Sequence, residues 1–293
     1  MTQPSTTAIR TDLTPVLPSR GALRPLGLDE VRITGGFWGD RQAVNAATSI
    51  PHCDVWETRV GWISNFTRAL EGTLVGNRTG REFSDSDVYK MIESMAWEVA
   101  RTGDPALDAR IRELGALIAQ VQESDGYLNT KFGRPGQEPR YSDLAWGHEL
   151  YCYGHLIQAA VARLRSGVRD ELVEVALRAA DHLCDAFGPD GIDGVCGHAE
   201  IEPALVELYR VTGEQRYLDQ AALFIDRRGH QSLPDIEFSR AYYQDDQPIR
   251  EAEVMRGHAV RAMYLAAGAI DVAVETEDNA LLDVVRSQFE RTL

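Results

Sequence analysis

The sequence predicts an all-α fold, built of helical hairpins repeated side by side as an α/α toroid or an α-solenoid. Three observations point there. A weak internal repeat places a tight turn between two helices at four points along the chain. The two helices around each turn differ in character, the first apolar nearly all round and the second apolar on one stripe only. Three histidines, each following a glycine, open the first helix of successive hairpins.

Residues 1–27 are rich in Thr, Pro and Ser and lack apolar periodicity, which predicts a tail or extended arm. They hold no apolar core of the kind a signal peptide needs, so a cytoplasmic location is expected. Domain organisation then reduces to this arm and one helical unit over 28–293. The stretch LDEVRITGG (28–36) alternates at Val31 and Ile33 and ends in two glycines, which predicts a short strand or extended segment. From Phe37 onward the pattern is helical. A first hairpin is expected between Asp40 and Leu70, split near Pro51.

The four repeated turns are ARTGDPAL (100–107), LRSGVRDEL (164–172), YRVTGEQRYL (209–218) and AVETEDNALL (273–282). Their anchors Thr102, Ser166, Thr212 and Thr276 are 64, 46 and 64 residues apart. Gly103, Gly167 and Gly213 suit a helix C-terminus, where the left-handed conformation is needed. The polar residue that follows suits the next N-terminus. Leu150–Ala162 carries no charge, and Ala259–Ile270 is apolar apart from Arg261; such helices are expected to be buried. Glu171–Phe187 and Asp278–Phe289 are amphipathic and should form the outer layer. Five hairpins are counted in all.

Composition narrows the function. The 293 residues carry 30 basic and 45 acidic side chains, a net charge of −15. Phosphate backbones and anionic membrane surfaces attract basic faces, so nucleic acid and membrane are excluded as partners. No window approaches about 18 uninterrupted apolar residues, so no transmembrane helix is expected. The four cysteines, Cys53, Cys152, Cys184 and Cys196, form no CxxC pair and are expected to be free thiols.

His148, His198 and His258 are the candidate binding residues. They lie 18, 14 and 18 residues before their turn anchors, so they occupy equivalent places in successive repeats. In a toroid such places converge on one mouth, where imidazoles can exchange hydrogen bonds with sugar hydroxyls or bind a metal. A capping or packing role is the competing expectation for each. His148 and Cys152 stand at i, i+4, but H-E-x-x-C is not the helical zinc motif, and no metal is expected on these residues. Asp85 and Asp87, in FSDSDVYK (83–90), fall at the mouth position of their own repeat, where helix capping is an equal alternative. Tyr127, in the turn DGYLNT (125–130), could line a groove or pack over its loop. No pair of carboxyl groups stands out for ordinary glycoside hydrolysis, and there is no phosphate loop, nucleophile elbow or dinucleotide fingerprint.

Taken together, GGFW (35–38), FSDSDVYKMIESMAW (83–97), SDGYLNTKF (124–132), WGHELYCYGHLIQAAV (146–161), GHAEIEPALVELYRVTGEQRYLDQA (197–221) and QPIREAEVMRGHAVRAMYLAAGAIDVA (247–273) are specific. In their order and spacing the chain resembles glycoside hydrolase family 127, the bacterial β-L-arabinofuranosidases, from about residue 28 to the end. The resemblance implies an (α/α)6 barrel, of which about five of six hairpins are present, and the retaining removal of non-reducing terminal β-L-arabinofuranose. It implies that His148, His198 and His258 contact the sugar of an L-arabinofuranoside, a small carbohydrate partner. It also implies a nucleophilic cysteine held on zinc by further cysteines and a glutamate, with a separate glutamate as acid/base. A zinc-bound thiolate suits that task because the metal keeps it deprotonated. Those motifs follow the segment matching GHAVRAMYL, so the catalytic residues are expected downstream of Leu293. No catalytic residue is assigned in this chain, zinc is expected only with the complete family enzyme, and the chain itself is expected to be inactive.

Two alternatives stay open at this point. One is a sugar-binding remnant without catalysis. The other is a different α/α-toroid sugar enzyme, such as an unsaturated glucuronyl hydrolase or an epimerase. An α-solenoid scaffold would instead expose an apolar groove for protein partners.

Overall fold

The computed structural model describes residues 13–293. Among them all regular structure is helical. Residues 31–34 run without a strand partner, with Val31 and Ile33 about half exposed, so the short segment ahead of the helices is extended but unpaired.

Four hairpins follow the repeat. They are α4 (Ser84–Thr102) with α5 (Pro105–Val121), α6 (Glu149–Arg165) with α7 (Glu171–Phe187), α8 (Ile201–Thr212) with α9 (Gln215–Arg227), and α10 (Ala259–Thr276) with α11 (Asn279–Thr292). The first helices pack in the order α4, α6, α8, α10 as an inner layer, and α5, α7 and α9 pack as an outer one. The turns share one chemistry. Thr102, Ser166, Thr212 and Thr276 each donate their hydroxyl 2.7 Å to the carbonyl four residues back. That bond is a second one to a carbonyl in the last turn, a hydroxyl back-bond that marks each helix end. Gly103, Gly167 and Gly213 then take φ of 73°, 75° and 79°. In the fourth turn Glu277 holds the same left-handed conformation at φ 61°. Asp104, Asp170 and Asp278 start the outer helices by accepting backbone N–H bonds.

The first hairpin departs from expectation. α1 (Gly36–Val44), a π-helical stretch (Asn45–Ser49) and α2 (Ile50–Arg59) form one continuous rod through Pro51. A proline inside an α-helix collides with the carbonyl four residues back and lacks an N–H. Here Pro51 sits in the first turn of α2, directly after the wider π turn. The reversal falls instead at Gly61, φ 84°, ahead of α3 (Trp62–Glu71). α2 packs on α4, and α3 on α4 and α5.

α6 is buried nearly all round, as its composition predicts. α10 is not: Val260, Met263 and Ile270 are exposed along one face. Its neighbours are α8, α9 and α11, so among the described residues nothing flanks that side. The five hairpins thus form an open arc, an incomplete α/α toroid.

The ends of the inner helices opposite the histidines are tied by buried charge. Arg165 and Arg210 both bind Glu207, and Arg210 also meets Asp271 and Glu275. The N-terminal arm crosses this floor. Carbonyls of Thr14 and Pro15 accept from Arg165, and Arg20 donates to the carbonyls of Ala273 and Val274. Residues 1–12 of the predicted arm lie outside the described residues.

Candidate functional site: a mouth of three histidines

The inner helices all begin at the same end, and that end carries the predicted histidines. His148 precedes α6, His198 lies two residues ahead of the α8 N-cap, and His258 is the N-cap of α10. Their rings form a chain, His148 to His198 at 5.8 Å and His198 to His258 at 6.2 Å between centroids. Tyr151 and Tyr264 stand beneath His198 at 4.4 and 5.7 Å. Both roles considered for these residues are visible at His258, which caps α10 by accepting from the Arg261 N–H and still joins the mouth.

Hydrogen-bond partners set the tautomers. Nδ1 of His148 faces the Trp146 carbonyl, and Nδ1 of His198 lies 2.8 Å from the Ala199 carbonyl. A carbonyl only accepts, so both Nδ1 atoms carry the proton and both Nε2 atoms are acceptors. His258 accepts at Nδ1, so its Nε2 is the donor. Burial makes the charged form costly in all three. It pushes His198 down to about 3 and lowers His148 and His258, with Arg261 adding repulsion. The mouth therefore offers two neutral acceptors and one neutral donor at neutral pH.

Three predicted lining residues are elsewhere or otherwise engaged. Asp85 is buried, and accepts from the Thr130 N–H and hydroxyl at 2.8 and 2.6 Å and from Arg78. It pins the 124–132 loop to α4. Tyr127 is fully buried, not on the mouth. Its hydroxyl donates to Glu149 and its ring lies under Arg140, because the Asp125-Gly126 turn folds it back into the core. Asp87 is partly exposed and pairs with Lys90 at 2.8 Å. Both line a cleft of about 440 Å³ between α2 and α4, with Asn45, Ser49, Glu57 and Trp62. Lys90 also lies 5.6 Å from the Tyr151 ring, so this cleft adjoins the histidine mouth.

Two buried groups escaped the sequence reading. Glu200, fully buried, has no hydrogen-bond partner on either carboxyl oxygen and lies 3.7 Å from His155, whose Nε2 is also unpartnered. Burial and the nearby Glu93 and Glu202 push its carboxyl well up. Arg261 is packed among Trp146, Tyr242 and Tyr243. Its signal was present, as the single charge in an otherwise apolar helix.

The cysteines do not assemble a centre. Cys152, Cys184 and Cys196 are buried and burial pushes their thiols up, while Cys53 is exposed and also raised. Among the described residues no three His, Cys, Asp or Glu side chains come together as metal ligands. No helix there is long and apolar enough to cross a membrane.

Residues 30–291 match the family described as beta-L-arabinofuranosidase, GH127 catalytic domain. A non-reducing end beta-L-arabinofuranosidase of Bifidobacterium longum is 38% identical over 241 residues, covering 75% of this chain and 37% of that protein. Among solved structures, a GH127 beta-L-arabinofuranosidase from Geobacillus stearothermophilus T6 superposes with a TM-score of 0.81 at 33% identity. The alignment covers 89% of this chain and 44% of that one. A second GH127 beta-arabinofuranosidase gives 0.83 at 31% identity, over 94% of this chain and 43% of that one. The chain spans less than half the length of these relatives.

Proposed function

The chain belongs to glycoside hydrolase family 127, the β-L-arabinofuranosidases, and from that premise we propose that its histidine mouth holds the terminal sugar of a β-L-arabinofuranoside. The observation that supports this reading is the convergence of three neutral imidazoles, with His198 5.8 Å from His148 and 6.2 Å from His258. A furanose hydroxyl both donates and accepts, so it can satisfy Nε2 of His148 or His198 as donor and Nε2 of His258 as acceptor. A neutral sugar also needs no counter-charge, which suits an uncharged mouth on an acidic chain. In a full-length family member this holding step would serve the retaining removal of a non-reducing terminal β-L-arabinofuranose.

The described residues do not fit a zinc–thiolate centre. No ligand set of three is present among them, and all four thiols are held above their ordinary range rather than below it. No step is therefore routed through a metal, and sugar binding without cleavage is the activity we assign to the 293-residue chain.

The test is titration of the chain with L-arabinose and with an aryl β-L-arabinofuranoside, followed by calorimetry. Saturable binding is expected, weakened about tenfold by His198→Ala, the size of one or two lost neutral hydrogen bonds. Absence of binding, or binding unmoved by alanine at each of the three histidines, overturns the reading. Release of arabinose overturns the assignment of binding alone.

A further inference from the structure

Arg261 has an unusual setting. It is 3% exposed and has no carboxylate within ion-pair distance among the described residues. Its guanidinium carbon lies 5.4, 4.6 and 5.2 Å from the ring centres of Trp146, Tyr242 and Tyr243. One Nη donates 2.7 Å to the carbonyl of Gly197, the residue before His198. Its own backbone N–H donates to Nδ1 of His258 at 3.5 Å. Trp146, on the other side, supplies the carbonyl that orients His148.

We propose that Arg261 is the positioning residue of the histidine mouth. Its side chain ties the Trp146 and Gly197 segments that aim His148 and His198 to Tyr242, whose ring lies 5.2 Å from that of His258, while its backbone N–H holds Nδ1 of His258. A planar guanidinium suits this task, because it can lie on aromatic faces and donate in its own plane at once. Lysine offers neither the plane nor the fork. The buried positive charge has a second effect, since it opposes protonation of every imidazole around it. Among the described residues it is the one cation that bears on all three histidines. The other groups facing them are few. Glu82 and Asp143 favour the charged form of His148, and the histidines disfavour it in His198. Burial is the main reason the imidazoles stay neutral, and Arg261 adds to it, so the mouth remains a set of neutral donors and acceptors with fixed tautomers rather than a cluster of cations.

The sugar readout below rests on the proposed function; the titration readout does not. The experiment follows the imidazole Cε1–H resonances of the 293-residue chain against pH, beside Arg261→Met and Arg261→Lys, and measures L-arabinose affinity for each. In the unaltered chain the three mouth histidines are expected to titrate below the ordinary value of about 6.5. In Arg261→Met the midpoints of His198 and His258 should rise by half a unit or more, with affinity falling at least fivefold. In Arg261→Lys the midpoints should stay low while affinity still falls, because the charge is kept and the clamp is lost. A mouth histidine of the unaltered chain titrating at or above 6.5 overturns the proposal. So do unmoved midpoints in a folded Arg261→Met, and so does full affinity in Arg261→Lys. Should Arg261→Met fail to fold, the unaltered chain and the lysine variant decide. If the unaltered chain binds no arabinose, the sugar reading fails and the midpoints alone judge Arg261.

Discussion

A methyl group on Gly154 would lie 1.3 Å from Oε2 of Glu200. The missing side chain on α6 is thus the space that the buried carboxyl of α8 occupies. Alanine is the better helix former by about 1 kcal/mol, yet the overlap outweighs that gain. Gly154→Ala should destabilise the chain by about 2–3 kcal/mol. Adding Glu200→Ala should recover most of the loss. Urea melts of the two variants check this; a neutral or stabilising Gly154→Ala would show that Glu200 can move aside.

Glu57 gives a pH-dependent prediction. It is buried in the α2–α4 cleft with Oε2 unpartnered. Burial, with Asp87 and Asp54 nearby, pushes it up to about 8. The folded state therefore holds a proton that the unfolded chain releases near 4.5. Stability from this group is complete below about 4.5 and is lost as pH rises towards 8. Glutamine keeps the shape and cannot ionise. Glu57→Gln should flatten the decline in denaturant midpoint between pH 5 and 8, by an amount on the order of 1–3 kcal/mol. Glu149 at about 7 and Asp271 at about 6 slope the same way, so some decline should remain. An unchanged slope would mean that Glu57 ionises freely in the fold.

The hairpin turns predict opposite effects at equivalent sites. Gly213 has φ 79°, and a Cβ there costs about 1–2 kcal/mol. Glu277 already bears that strain at φ 61°. Thermal melts should show Gly213→Ala destabilised by about 1–2 kcal/mol and Glu277→Gly stabilised by about 0.5–1 kcal/mol, after the greater flexibility of unfolded glycine is subtracted. A destabilised Glu277→Gly would contradict the shared turn geometry.

Neighbouring acids on α4 should behave differently. Asp85→Ala strips the buried Thr130 N–H of its acceptor, at about 2–3 kcal/mol. Asp87→Ala removes only a partly exposed pair with Lys90 and should cost under about 1 kcal/mol. Equal losses in chemical denaturation would argue against Asp85 as the anchor of its loop.

What was legible in the sequence follows from how local each cause is. The hydroxyl anchors, the turn glycines and the three Gly-His pairs act within a few residues of themselves, and the structure places them as the repeat implies. Pro51 misled because the remedy lies in the backbone ahead of it: a π turn leaves no residue signature. Tyr127 and Asp85 stayed open between two roles because their partners, Glu149 and Thr130, are 22 and 45 residues away. A polar residue near a turn looks the same whether it faces a mouth or anchors a loop. Arg261 was noted as an exception to an apolar helix, but its meaning depends on Trp146 and Gly197, far off in the chain. The exposed face of α10 was hidden by composition, since apolarity says what a helix could bury and not what lies beside it.

The three mouth histidines belong to three hairpins, and each inner helix rests chiefly on its immediate neighbours. Such an array frays from its ends, where a unit has one neighbour rather than two. Among the described residues the α10–α11 hairpin, which carries His258, packs chiefly on α8 and α9. A sugar held jointly by His148, His198 and His258 would act as a clasp on that hairpin. Amide protons of α10 should then exchange more slowly when ligand is present, while those at the centre of α6 change little.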